Sequence, residues 1–154
     1  MLEEVLKAYN AAYDTNPVYK TVPYEGILDL LSALKARGIK VGIVSNKPDF
    51  LTRPLACDFF GELVDLAVGG KVEIPLKPNP DAVLNMLSEF SLTPSECAYI
   101  GDTGVDMLTG KNAGARLTVG VLWGFRKKAE LIDAGADVIV SRPEEILDEV
   151  LKID

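Results

Sequence analysis

Short, unbroken apolar runs alternate with segments of helical period along most of this chain, and that alternation is what most restricts its fold. Lys40-Val-Gly-Ile-Val-Ser45 is apolar at successive positions and bounded by turn signals, so it predicts a strand over 40–45 buried on both faces. Further strands are expected over 64–68, 98–100, 118–122 and 138–140, and helices over 80–90, 106–113, 126–134 and 144–151. Ile27, Leu30, Leu31 and Leu34 mark an earlier helix that stops at Arg37-Gly38, where glycine supplies a left-handed cap, and a further apolar segment occupies 50–60. Leu2, Val5, Leu6 and Tyr9 recur at helical spacing before Asp14-Thr-Asn-Pro17. Continuous apolar strands separated by helices imply an α/β, doubly wound, Rossmann-like fold: a parallel sheet with helices on both faces.

Composition narrows the partners. At 154 residues, 48% hydrophobic and 25% charged, the chain suits one ordered globular unit with a sizeable core. A formal charge of -7 argues against nucleic acid, whose phosphate backbone demands clustered Lys and Arg. A small phosphorylated metabolite stays compatible, because a metal ion and one or two lysines reverse the sign inside a cleft. The start, Met1-Leu-Glu-Glu-Val-Leu-Lys7, has acids where a secretory signal carries bases, and no apolar run approaches the ~18 residues that span a bilayer. A soluble, cytoplasmic protein without a membrane partner is expected. Cys57 and Cys97 form no CxxC pair and sit in apolar surroundings, which predicts buried free thiols. Histidine is absent, removing Ser-His triads and His-ligated zinc, so acid-base work falls to carboxylates and lysines.

In a parallel sheet, ligands bind beyond the carboxyl ends of the strands. Tyr99-Ile-Gly-Asp-Thr-Gly-Val-Asp106 reads as a strand ending in Asp102, a glycine turn, and Asp106 opening a helix. Two such carboxylates match the oxygen chemistry of Mg²⁺; equally, Asp102 suits a turn and Asp106 a helix cap. Ser45-Asn46-Lys47, following the 40–45 strand, is either a phosphate cradle at a helix start or an ordinary turn. Lys77, in Leu76-Lys-Pro-Asn-Pro80, is either aimed by its flanking prolines or a solvated surface charge. Trp123-Gly-Phe125 either lines the cleft or packs on the sheet, packing being the commoner use of aromatics in apolar surroundings.

Taken in order, Ser45, Lys77, Asp102 and Asp106 resemble motifs II, III and IV of the haloacid dehalogenase-like phosphatase superfamily, over nearly the whole chain from Tyr24 onward. Val22-Pro-Tyr-Glu-Gly26, Ile43-Val-Ser-Asn-Lys-Pro48 and Lys77-Pro-Asn-Pro-Asp81 look most like its phosphoglycolate phosphatase branch. The resemblance implies that Ser45 and the Asn46 amide bind the transferring phosphoryl group and that Lys77 is the catalytic cation. It also implies that Asp102 with Asp106 positions Mg²⁺. The reaction implied is a phosphomonoester hydrolysis through an aspartyl-phosphate. In that family a first strand carrying Asp-x-Asp-x-Thr supplies the nucleophile, and no Asp-x-Asp occurs in this sequence.

That strand would lie centrally, between the one ending at Ser45 and the one ending at Asp102. The sheet is therefore expected to miss its first central strand, with 1–16 resembling the last helix of an inserted cap domain and 17–154 an incomplete core domain. Three readings compete. One is a piece of a longer phosphatase, inactive by itself. Another is a short natural form that binds a phosphorylated ligand or a partner without turning it over. The third has another chain donating the strand through the open sheet edge. The substrate is not legible, because in this family the cap selects it. Receiver domains share the sheet, the acids and the lysine, but put the acids first, and no Gly-x-Gly-x-x-Gly follows a strand as a dinucleotide site requires.

Overall fold

The computed structural model describes residues 21–153, so the helix expected at the start of the chain lies outside the described residues. Helix α1 spans Ile27–Ala36, entered through Gly26 (φ 83°) and left through Gly38 (φ 73°), with Leu30 and Leu34 turned inward one turn apart. Strand β1 (Gly42–Pro48) leads to α2 (Asp49–Phe60), β2 (Leu66–Gly70) and α3 (Asp81–Phe90). Then β3 (Ala98–Gly101), α4 (Gly104–Asn112), β4 (Leu117–Val121), α5 (Lys128–Asp133), β5 (Val138–Val140) and α6 (Pro143–Val150) complete the alternation. The apolar segment 50–60 is thus a helix. Its buried positions are Thr52 and Ala56, four apart, which turns the next residue, Cys57, outward. The expected burial of that thiol is therefore wrong, while Cys97 is half-buried and both are free.

All strand pairs are parallel, but the sheet comes in two pieces, β1-β2 and β3-β4-β5. Val41 C=O accepts from Leu66 N–H, and Cys97 C=O accepts from Leu117 N–H. Because a parallel strand presents alternate residues to alternate sides, Gly42 and Val44 on β1, and Ala98 and Ile100 on β3, turn their peptide groups toward the gap. A cavity of about 710 Å³ occupies it, lined along one side by Val41, Gly42, Ile43 and Val44 and along the other by Ala98, Tyr99 and Ile100. A residue in a packed sheet fills roughly 160 Å³, from a spacing of ~4.8 Å, a rise of ~3.3 Å and a layer separation of ~10 Å, so the slot holds about four or five residues of one strand. The cavity lies where the sequence led to the expectation of a missing central strand, between the strand that runs to Ser45 and the one that precedes Asp102.

Helices cover both faces of the slot. On one, Val83 and Leu87 of α3 pack with Tyr99 and Ala113 over Val44. On the other, Leu30 and Leu34 of α1 and Ile146 of α6 pack with Val119, Val121 and Val140. Each half-sheet is pinned by an aspartate at the amino ends of its strands. Asp65 accepts from Val41 N–H (2.9 Å) and pairs with Lys40 (2.7 Å), and Asp137 accepts from Thr118 N–H (2.8 Å) and pairs with Lys111 (2.5 Å). The Lys40 ammonium and the Val41 amide hold the Asp65 carboxyl below its usual range.

Candidate active site

Beyond Val44 the β1-β2 register breaks, and pairing resumes only at Pro48 opposite Gly70. Ser45, Asn46 and Lys47 form this irregular end of the strand, with Lys47 N–H donating to Ser45 Oγ (3.1 Å). Ser45 is therefore not at a helix start as the sequence suggested: α2 begins at Asp49, because the irregularity prolongs the extended backbone to Pro48. Asn46 reaches the 76–80 loop instead. Its Oδ1 accepts from Lys77 N–H (2.8 Å) and its Nδ2 donates to Lys77 C=O (3.2 Å), the two bonds a neighbouring strand would make.

Lys77 is no solvated surface charge. Its Nζ lies 2.7 Å from Asp106 Oδ1, with only 14% and 9% of the two side chains exposed. The other carboxylate oxygen, Oδ2, accepts from Thr103 N–H (3.1 Å) and Thr103 Oγ1 (2.6 Å), while Asp106 N–H donates back to Thr103 Oγ1 (3.3 Å). Asp106 thus caps α4 and faces the site at once, so the two uses left open by the sequence coexist. Gly101 permits this approach: a Cβ there would lie 2.2 Å from that of Asp106. Burial and the nearby Asp106 charge push the Tyr99 phenol well above its ordinary value. Farther along α4, Asn112 Nδ2 donates to Pro78 C=O (2.9 Å).

Asn46, at the carboxyl end of β1, and Asp106, just past the carboxyl end of β3, meet on Lys77. The two half-sheets therefore point the same way, and Lys77 and Asp106 close the carboxyl end of the slot.

Asp102 is half-buried, and its Oδ2 accepts from Phe125 N–H (2.9 Å). Gly124 packs so closely that a Cβ there would lie 2.2 Å from Asp102 Oδ2. Trp123 packs against the core while Phe125 is 86% exposed, so packing describes the tryptophan, and the backbone of this loop acquires a role in holding Asp102. Among the described residues no Lys or Arg pairs with Asp102, which leaves a half-buried carboxylate open to a cation. Among them, too, no group of three or more His, Cys, Asp or Glu gathers at one point. Asp102 and Asp106 offer only carboxylate oxygens, donors whose chemistry fits Mg²⁺ rather than a softer metal. Thr103, Asn112 and Gly124 escaped the sequence reading. Thr103-x-x-Asp106 carried the spacing of a capping box and could have been found; the other two act across more than twenty residues and leave no local pattern.

The haloacid dehalogenase-like hydrolase family matches residues 2–114, and a HAD hydrolase-like family matches 76–153. A phosphoglycolate phosphatase of Aquifex aeolicus is 35% identical over 146 residues, 94% of this chain and 67% of that protein. An N-acetylmuramic acid 6-phosphate phosphatase of Pseudomonas aeruginosa is 33% identical over 128 residues, 82% of this chain and 56% of that protein. A solved haloacid dehalogenase-like family hydrolase from Streptococcus pneumoniae superimposes with a TM-score of 0.84 at 26% identity, covering 96% of this chain and 69% of that one. The chain thus spans between 56% and 67% of the length of these two curated relatives. No helix among the described residues is long and apolar enough to cross a membrane. Family match, fold and the order of site residues agree: this chain belongs to the haloacid dehalogenase-like hydrolases.

Proposed function

We propose that this chain carries most of the catalytic core of a Mg²⁺-dependent phosphomonoester hydrolase of the phosphoglycolate phosphatase kind. The observation that carries the reading is the largely buried Lys77–Asp106 pair at the carboxyl end of the slot, with a half-buried Asp102 on the same strand-to-helix turn that pairs with no Lys or Arg among the described residues. Ser45 Oγ and the Asn46 backbone amide offer donors to a phosphoryl oxygen, and Lys77 offsets its charge in a site shielded from water. Asp102 and Asp106 would hold Mg²⁺, which when bound supplies the charge that neutralises a phosphate ester. Small phosphorylated metabolites are the substrate class. Phosphoglycolate is favoured by the Aquifex relative, while the Pseudomonas relative named for a sugar phosphate leaves the choice within that class wide.

These 154 residues hold no Asp-x-Asp, and the slot has room for one strand. We infer that the chain by itself does not turn over substrate, and that a strand ending in the nucleophilic Asp must occupy the slot, brought by further polypeptide. Exposed apolar side chains around the strand ends, Phe50 in the first turn of α2 and Val72, Leu76 and Phe125 in loops, suit association with such polypeptide.

The test is phosphate release from a panel of small phosphomonoesters with Mg²⁺, by the chain alone and with a synthetic peptide bearing an apolar strand followed by Asp-x-Asp-x-Thr. Release only with the peptide, abolished by Asp102→Asn, is the expected result. Release by the chain alone that depends on Asp102 would place a nucleophile within these residues. Bound peptide without release would overturn the phosphatase reading.

A further inference from the structure

The 76–80 loop has little apolar burial to fix it. Leu76 is 52% exposed, Pro75 and Pro78 are exposed, and within the loop Asn79 N–H donates to Leu76 C=O (3.0 Å). Yet Lys77 points its ammonium into a largely buried ion pair. Two exposed asparagines hold the backbone there, one at the end of β1 and one at the end of α4, the helix that follows β3. Asn46 brackets the Lys77 peptide groups from the end of β1, at 2.8 and 3.2 Å. Asn112, the last residue of α4, donates to Pro78 C=O at 2.9 Å, and that carbonyl is the one backbone hydrogen-bonding group a proline has. The loop is therefore a strap across the carboxyl end of the slot, tied at both sides by side-chain amides.

We propose that Asn46 and Asn112 are positioning residues for Lys77, fixing its ammonium against Asp106 at the mouth of the slot. The chemistry accounts for the residue type. Only a carboxamide donates to the Lys77 carbonyl and accepts from its N–H at once; aspartate at 46 accepts alone, and alanine does neither. Because both side chains are exposed, neither is needed to fill the core. The proposal rests on Lys77 being the site cation, but its test needs no phosphate, so it fails separately from the phosphatase reading.

The test is site-resolved acetylation of the full chain at limiting reagent, followed by mass spectrometry. Lys40 and Lys152, paired with Asp65 and Glu149 away from the strap, are the internal references. Asn112→Ala, which removes one hydrogen bond, should raise the Lys77 rate by about fivefold to tenfold, and Asn46→Ala, which removes two, by at least as much, with both references within about twofold. Asn46→Asp, keeping the N–H bond, should fall between wild type and alanine. An unchanged Lys77 rate in folded variants would overturn the proposal, as would a rise shared by all three lysines, which would mean general loosening. If an alanine variant does not fold, the near-isosteric Asn46→Asp and Asn112→Asp take its place under the same two criteria.

Discussion

Asp106 serves two masters through its two oxygens, Lys77 on Oδ1 and Thr103 on Oδ2. That division suits a residue that must stay in place whether or not a cation and a phosphate are near, since the Thr103 bonds persist when Oδ1 is shared. Asp102 is held more lightly, by one backbone N–H and by contact with Gly124. Gly124→Ala should therefore move the Asp102 carboxylate and lower Mg²⁺ affinity by about tenfold or more, the usual cost of disturbing a group that orients a metal ligand. Calorimetric titration of Mg²⁺ into wild type, Gly124→Ala and Asp102→Asn checks this, with the glycine variant falling between the other two. Lys77, Asp102 and Asp106 could be picked out as candidates from the sequence because they follow strands of the parallel sheet, and the structure brings Lys77 and Asp106 together at 2.7 Å. Asn112 and Gly124 were not, because a side-chain-to-backbone bond or a close approach between distant residues has no spacing to detect.

Element boundaries followed the apolar pattern closely for α3, β3, β4 and β5, all of which are bounded by turns that break both sequence period and hydrogen bonding. The end of β1 did not, since Ser45-Asn46-Lys47-Pro48 has turn composition yet stays extended through a register break that only the β2 partner defines. Helix α4 has the strongest local start of the site elements. Its Thr103–Asp106 box satisfies two orphan amides and aims the Asp106 carboxylate at Lys77 in one motif. Thr103→Ala should cost about 1 kcal/mol through the lost cap, lowering the melting temperature by about 2–4 °C, whereas Thr103→Ser should keep most of it. Thermal unfolding followed by circular dichroism gives the answer, and equal loss in both variants would mean that the methyl group, not the hydroxyl, is what matters.

At the scale of the whole molecule, the alternation of strands and helices foretold the doubly wound sheet, and the absence of Asp-x-Asp foretold the gap in its middle. What no pattern revealed is that the two half-sheets remain joined by helices on both faces and by the 76–80 strap. Among the described residues, the peptide groups of β1 and β3 that face the slot have no ladder partner. Amide hydrogens of Gly42, Val44, Ala98 and Ile100 should therefore exchange with solvent at least about tenfold faster than those of Ile43 and Tyr99 in the same strands, since unpaired groups open without breaking a ladder. Exchange followed by NMR tests this, and equal protection across each strand would mean that the gap is closed in solution. The covering helices carry a further consequence. With α3 over one face and α1 and α6 over the other, a strand cannot settle into the slot sideways; it must thread end-on or wait for a helix to lift. Were the proposed strand to be captured there, its binding should be gated, with a speed that levels off as peptide concentration rises because the opening of the roof, not the meeting of the two molecules, sets it.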